Sequence, residues 1–199
     1  TTSTPTPSTP ATSASTKPST SSQTTSTGHT TSTTSTTVRS STIPGGLALD
    51  KSCASSQYGY SLLYPTTWTA ELSFPGWDCG LFDPEPFVVQ PQTEVPPVAV
   101  LAAVYDYSFD TSVAQYTDPS YNTLLSSTDL TIDSRKAVAV EIVTTEEMME
   151  PAGTSRYAVL VDWNGDRTFV IETSSVRGDD YTIDKQVVRA MADTLILPD

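Results

Sequence analysis

Histidine, cysteine and clustered carboxylates carry much of protein chemistry, and this chain uses them sparingly. Its single histidine, His29, lies in a Ser/Thr-rich stretch, so residues 43–199 contain none. That removes Ser–His–Asp and Cys–His catalysis, histidine-ligated zinc, and any general base with an ordinary pKa near 7. No GxGxxG or GxxxxGK(S/T) pattern offers a phosphate cradle. The two cysteines, Cys53 and Cys79, are too far apart for a redox CxxC and lack partners for a metal site. An even count beside a secretion-like tract predicts a disulfide, the alternative being two buried free thiols in a cytosolic protein. No cofactor is expected.

Three acidic groupings remain. Asp162, Asn164 and Asp166 alternate as in a calcium loop, but Arg167 stands where an EF-hand needs Gly and Thr173 where it needs Glu. Glu146, Glu147 and Glu150 flank Met148 and Met149. This reads as a solvated loop, or more sharply as a docking loop, since exposed methionines adapt to varied surfaces. Asp179, Asp180 and Asp184 open a helix, where carboxylates favour the dipole. A glycosidase-like carboxylate pair is the competing use of such acids. Aromatic residues are the other resource. Tyr58, Tyr60, Trp77, Tyr105, Tyr107 and Trp163 offer surface of the kind binding sites use, whereas Trp68 reads as core.

The elements that must position these residues alternate between two periods. Residues 58–64 (Tyr-Gly-Tyr-Ser-Leu-Leu-Tyr) form a strand ending at Pro65, and residues 69–74 and 79–82 are weaker strands around Pro75-Gly76. Residues 83–97 hold five prolines and read as a loop by a sheet edge; residues 98–107 read as a central strand. A helix over 110–126, capped by Asp110 or Thr111, would carry Val113, Tyr116, Leu124 and Leu125, with Pro119 breaking it. Next come a short strand at 130–132, a turn at Asp133-Ser134, and a long strand at 136–145 whose Ala137, Ala139, Glu141 and Val143 are expected to face outward. Strands 156–163 and 167–174 flank Asn164-Gly165, a strong hairpin signal. The last helix, capped by Asp180 or Thr182, sets Ile183, Val187, Ala190, Met191 and Leu195 on one face. Strands, helix, strands, helix is an α+β order: an antiparallel sheet with helices packed on it.

The remainder is low-complexity. Of residues 1–42, 18 are Thr, 12 Ser and 4 Pro. Such a stretch cannot bury enough apolar surface to order itself and reads as a disordered stalk suited to O-glycosylation. It holds two of the ten Lys/Arg and none of the 23 Asp/Glu, so residues 43–199 carry eight bases against 23 acids, a net −15. That field repels nucleic acid and anionic lipid, and favours neutral or cationic partners. The longest apolar run, Val98 to Val104, is seven residues, too short to span a bilayer. A first residue of Thr points to a mature or trimmed chain, with a lipid anchor possible upstream.

The strand leading into Tyr64-Pro65-Thr66-Thr67-Trp68 resembles the F-x-x-x-Y-P-x-x-W opening of PsbP-like domains, which include an extrinsic photosystem II subunit and many bacterial extracytoplasmic lipoproteins. Ile132-Asp133-Ser134-Arg135-Lys136-Ala137 is similar to that family's turn into its long central strand, with Ser134 where Gly is usual. The Asn164-Gly165 hairpin and Met191-Ala192-Asp193-Thr194-Leu195 resemble its following strands and closing helix. The resemblance spans about residues 56–197. It implies an α/β/α sandwich around a mainly antiparallel sheet, and a family of accessory and binding modules more than of enzymes. Metal-binding histidines of some plant members have no counterpart here. A Ser/Thr/Pro stalk ahead of such a domain resembles actinobacterial cell-envelope lipoproteins. The expectation is therefore a secreted or surface-tethered, non-catalytic module binding an envelope protein, glycan or lipid. Trp77, Tyr105, Tyr107, Trp163, Met148 and Met149 are the candidate contacts. A carboxylate-based hydrolase and a structural spacer are the alternatives.

Overall fold

Period-two apolar patterning governs most of the chain after residue 47, and the computed structural model turns it into two antiparallel sheets. It describes residues 41–43, 46–74, 76–89, 97–147 and 150–198. The smaller sheet joins β1 (Ser41–Thr42), β2 (Ala48–Ala54) and β3 (Ser61–Pro65) in that order. The larger contains β4 (Thr69–Ala70), β5 (Leu81–Asp83), β6 (Val100–Tyr105), β7 (Asn122–Ile132), β8 (Arg135–Thr144), β9 (Ser155–Asp162) and β10 (Thr168–Ser174). Its spatial order is β4-β5-β6-β10-β9-β8-β7. Helices α1 (Phe109–Tyr116) and α2 (Tyr181–Ala192) complete the α+β fold.

The two helices cover opposite faces of the large sheet. On one, Val187, Val188 and Met191 of α2 join Leu62 and Tyr64 of β3 over Phe169, Ile171, Val159 and Ala139. On the other, Phe109, Val113 and Tyr116 of α1 lie on Val138, Val140, Ala158, Leu160 and Val170. All seven residues of β10 are buried in consequence. The expectation that Ala137 and Ala139 face outward is corrected here: both are buried, because α2 and the small sheet cover that face too. Trp68 is core, as expected.

The expected helix over 110–126 is shorter and starts earlier. Ser108 is the N-cap, its Oγ accepting from the Thr111 N–H at 3.3 Å, and Thr117 closes the helix before Pro119. Pro119 cannot continue the ladder, and the chain turns through Tyr121 and Asn122, whose N–H groups both bond the Asp118 carbonyl. Leu124 and Leu125 lie exposed on β7, an eleven-residue edge strand rich in β-prone Thr that replaces the short strand expected at 130–132. The β7–β8 turn has Asp133 and Ser134 at φ 48° and 63°, the left-handed pair of a tight hairpin, which explains why glycine suits position 134. The β9–β10 hairpin forms as expected. Its tip is Asn164-Gly165-Asp166, closed by the Trp163 N–H on the Arg167 carbonyl at 3.0 Å, and Gly165 supplies the positive φ of 88°. Asp180 caps α2, accepting from Thr182 and Ile183 N–H. Ile183 turns outward and Asp184 is buried in its stead.

Candidate functional site

The face bearing α1 is only partly filled by its helix. Beyond Tyr116 a cavity of about 490 Å³ opens, bounded by α1, the ends of β6, β8, β9 and β10, and Trp77. Strand alternation decides what enters it. Leu101 and Tyr105 on β6, Arg156 on β9 and Glu172 on β10 all point to this face. Tyr107, Tyr116 and Tyr121 add aromatic wall, and Gln115 and Asn122 add amides.

Six charged residues contribute to the lining: Glu150, Arg156, Glu172 and Arg177 neutralise one another, and Asp118 and Glu146 add two further carboxylates. Glu172 Oε2 accepts from Arg156 Nη2 at 2.6 Å and from the Tyr116 hydroxyl at 2.7 Å, and its Oε1 faces Arg177 Nη1 at 3.4 Å. Glu150 Oε1 meets Arg177 Nε at 2.9 Å and the Ser174 hydroxyl at 2.8 Å, while its Oε2 lies 3.5 Å from Arg156 Nε. Burial by itself would raise the Glu172 carboxyl, but Arg156, Arg177 and the hydrogen bonds outweigh it and hold it below the usual range. Burial and the Glu172 charge push the Tyr116 hydroxyl well up, and also raise that of Tyr105. Desolvation would lower Arg156, but Glu172 and Glu150 keep it firmly charged. Its guanidinium lies 5.2 Å from the Tyr116 ring centre, in cation–π reach. The site offers aromatic walls over a polar floor in which two carboxylates face two guanidinium groups.

Trp77 reaches the cavity because the loop behind it is pinned. Cys53 and Cys79 form the expected disulfide, with Cα atoms 5.6 Å apart. The Tyr60 hydroxyl donates to the Cys79 carbonyl at 2.9 Å, and Asp78 Oδ2 accepts from both the Ser56 N–H and its hydroxyl. Gly80 must be glycine: a Cβ there would lie 2.9 Å from the Ala102 carbonyl oxygen.

Of the candidate contacts read from sequence, Trp77, Tyr105 and Tyr107 line this cavity together. Trp163 does not offer surface. It is buried, with Tyr58 and Tyr60 edge-on to its ring at 6.2 and 6.3 Å, because the loop tip folds it onto the α2 face. Tyr60 is likewise core. Met148 and Met149 lie outside the described residues, but Glu146 and Glu150 on either side line the cavity, and Glu150 is buried rather than solvated. Arg156, Glu172, Arg177, Tyr116 and Tyr121 escaped the sequence reading. The available signal was a lone Arg and a lone Glu among apolar residues on adjacent strands of an evident hairpin. Asp184 stands apart from the cavity. Burial, then Asp180, Asp83 and Asp179, push its carboxyl up to about 7. Among the described residues no group of three or more His, Cys, Asp or Glu is arranged to hold a metal ion, and no helix is long and apolar enough to cross a membrane.

Fold and site thus define an α+β domain with an aromatic cavity on its α1 face, floored by a balanced ionic quartet. No family model matches the chain, and no curated protein sequence matches it. Among solved structures it is similar to cyanobacterial PsbP (CyanoP) from Synechocystis sp. PCC 6803, with a TM-score of 0.41 and 13% identity, over 77% of this chain and 95% of that one. It is also similar to a 1.50 Å crystal structure from Bacteroides thetaiotaomicron VPI-5482, with a TM-score of 0.36 and 14% identity, over 70% of this chain. The match covers 45% of the Bacteroides chain.

Proposed function

We propose that this protein is an extracytoplasmic, non-catalytic binding module of the PsbP-like kind, acting at the cell envelope and holding a small ligand or a ligand's end in the α1-face cavity. The observation that carries the reading is the cavity itself, where aromatic side chains surround a floor whose two carboxylates are each matched by an arginine. Sites with this makeup hold molecules by apolar contact and orient them through few polar groups. Against the carboxylate-hydrolase alternative, the arginines hold Glu172 ionised, and Glu150 Oε1 is engaged by Arg177 and Ser174. The disulfide, the Ser/Thr/Pro stretch and the PsbP-like motifs support the location and the accessory role. The test is native mass spectrometry of the full chain with extracted envelope lipids and glycans, run beside a hydrolysis assay on the same extracts. Saturable binding without chemical change is the expected result. Turnover that disappears in Glu150→Gln or Glu172→Gln would overturn it.

A further inference from the structure

The binding reading leaves the ligand's chemistry open, and the floor of the cavity narrows it. Arg156 engages Glu172 through Nη2 and Glu150 through Nε, and Arg177 engages Glu150 through Nε and Glu172 through Nη1. Among the described residues, Arg156 Nη1 and Arg177 Nη2 make no hydrogen bond, and neither is among the buried atoms left without one, so both keep some exposure to solvent. The only atoms of the quartet left without a hydrogen bond and closed to solvent are Glu150 Oε2 and Arg156 Nε, which face each other. The polar groups the quartet turns outward are therefore donors, and they belong to a cluster of zero net charge.

We infer that the cavity takes an uncharged, apolar-bodied molecule that enters acceptor-end first, setting a carbonyl or similar oxygen against Arg156 Nη1 and Arg177 Nη2 while Trp77, Tyr105 and Tyr107 enclose its body. A cation would meet those guanidinium donors head-on. An anion would leave the balanced quartet with an excess negative charge, inside a domain of net −15 with Glu146 and Asp118 at the same cavity. A neutral acceptor oxygen gains charge-assisted hydrogen bonds at neither cost. This inference rests on the cavity being a binding site.

Four probes of one shape test it: 2-acetylnaphthalene, 2-isopropylnaphthalene, 2-naphthoate and 2-naphthyltrimethylammonium, each titrated into the full chain by isothermal calorimetry. A hydrogen bond to a charged donor supports a preference of about tenfold to a hundredfold for 2-acetylnaphthalene over its isopropyl analogue. Arg177→Lys keeps the charge but loses the fork, and should erase most of that preference, read as the ratio of the two neutral probes' affinities in the folded variant; an unchanged ratio would remove Arg177 from the inference. Tightest binding of the anion or the cation, or equal binding of the two neutral probes, would overturn the inference and leave the binding site standing. Failure of all four to bind, with a folded chain by circular dichroism, would overturn both.

Discussion

The two faces of the large sheet are built from the same strands and solve burial in opposite ways. On the α2 face, aromatic and aliphatic side chains close completely: Phe169 meets the Tyr60 ring at 4.9 Å, and Trp163 seals one end. On the α1 face the helix is only eight residues long, and what it leaves uncovered is an ionic quartet under aromatic walls. A protein optimised only for stability would fill that space with apolar groups, since buried ion pairs seldom outperform well-packed hydrophobic residues. The contrast separates a closed face that holds the fold together from one that keeps an open cavity.

The largest effects should come from breaking each face in its own way. Phe169→Ala should cost about 3–5 kcal/mol by opening a cavity in the α2 face. Arg156→Met should cost a similar amount, about 3–5 kcal/mol, because it strands Glu172 without its strongest partner. The difference lies in rescue. Arg156→Met combined with Glu172→Leu should recover at least half the loss in urea denaturation, whereas no second change of polarity should rescue Phe169→Ala. Loss of the disulfide comes next. Cys53→Ser should lower stability by about 2–4 kcal/mol, measured the same way, by freeing the 26-residue loop in the unfolded chain.

The pH profile sharpens the comparison, since each face holds a carboxyl with the opposite shift. Glu172 is depressed by its arginines, so its contribution is present above the ordinary glutamate pKa and is lost as pH falls through the lower folded value. Asp184 is raised to about 7 by burial and by Asp180, Asp83 and Asp179, so its contribution is present in acid and is lost as pH rises from its ordinary value of 3.8 through 7. Stability should therefore peak between these limits. Asp184→Asn should remove the fall between about pH 4 and 7, a change of about 1–2 kcal/mol after solvent screening. Thermal unfolding across that range checks it, and an unchanged slope in the variant would remove Asp184 from the account. The smallest effect belongs to the β7–β8 turn. Ser134→Gly should add about 0.5–1 kcal/mol by relieving a left-handed φ of 63°.

How far the sequence reveals this contrast depends on the range of the signal. Local patterns worked: the β9–β10 hairpin, the α2 cap at Asp180 (one of two candidates) and the strand–helix alternation come from neighbouring residues, while the disulfide followed from the cysteine count and the Ser/Thr-rich tract. The long edge strand β7 was hidden because Leu124 and Leu125 also fit a helical period, and only Pro119 argued otherwise. Ile183 looked like core for the same reason, since helical spacing alone cannot show that Gly178 and Ala99 admit the Asp184 side chain instead. Half of the candidate site was visible as aromatic residues, Trp77, Tyr105 and Tyr107. The charged half was not, because Arg156 and Arg177 meet Glu150 and Glu172 only once β9, β10 and the loops flanking them come together.

The central claim is that the α1 face, not the α2 face, receives the ligand. Amide chemical-shift mapping of the ¹⁵N-labelled full chain, titrated with 2-acetylnaphthalene, tests it most directly. The account predicts saturable shifts concentrated at Trp77, Tyr105, Gln115, Tyr121 and Arg177, with α2 and β2–β3 unmoved. Shifts centred on α2 or the small sheet, or none at all at saturating probe, would contradict it.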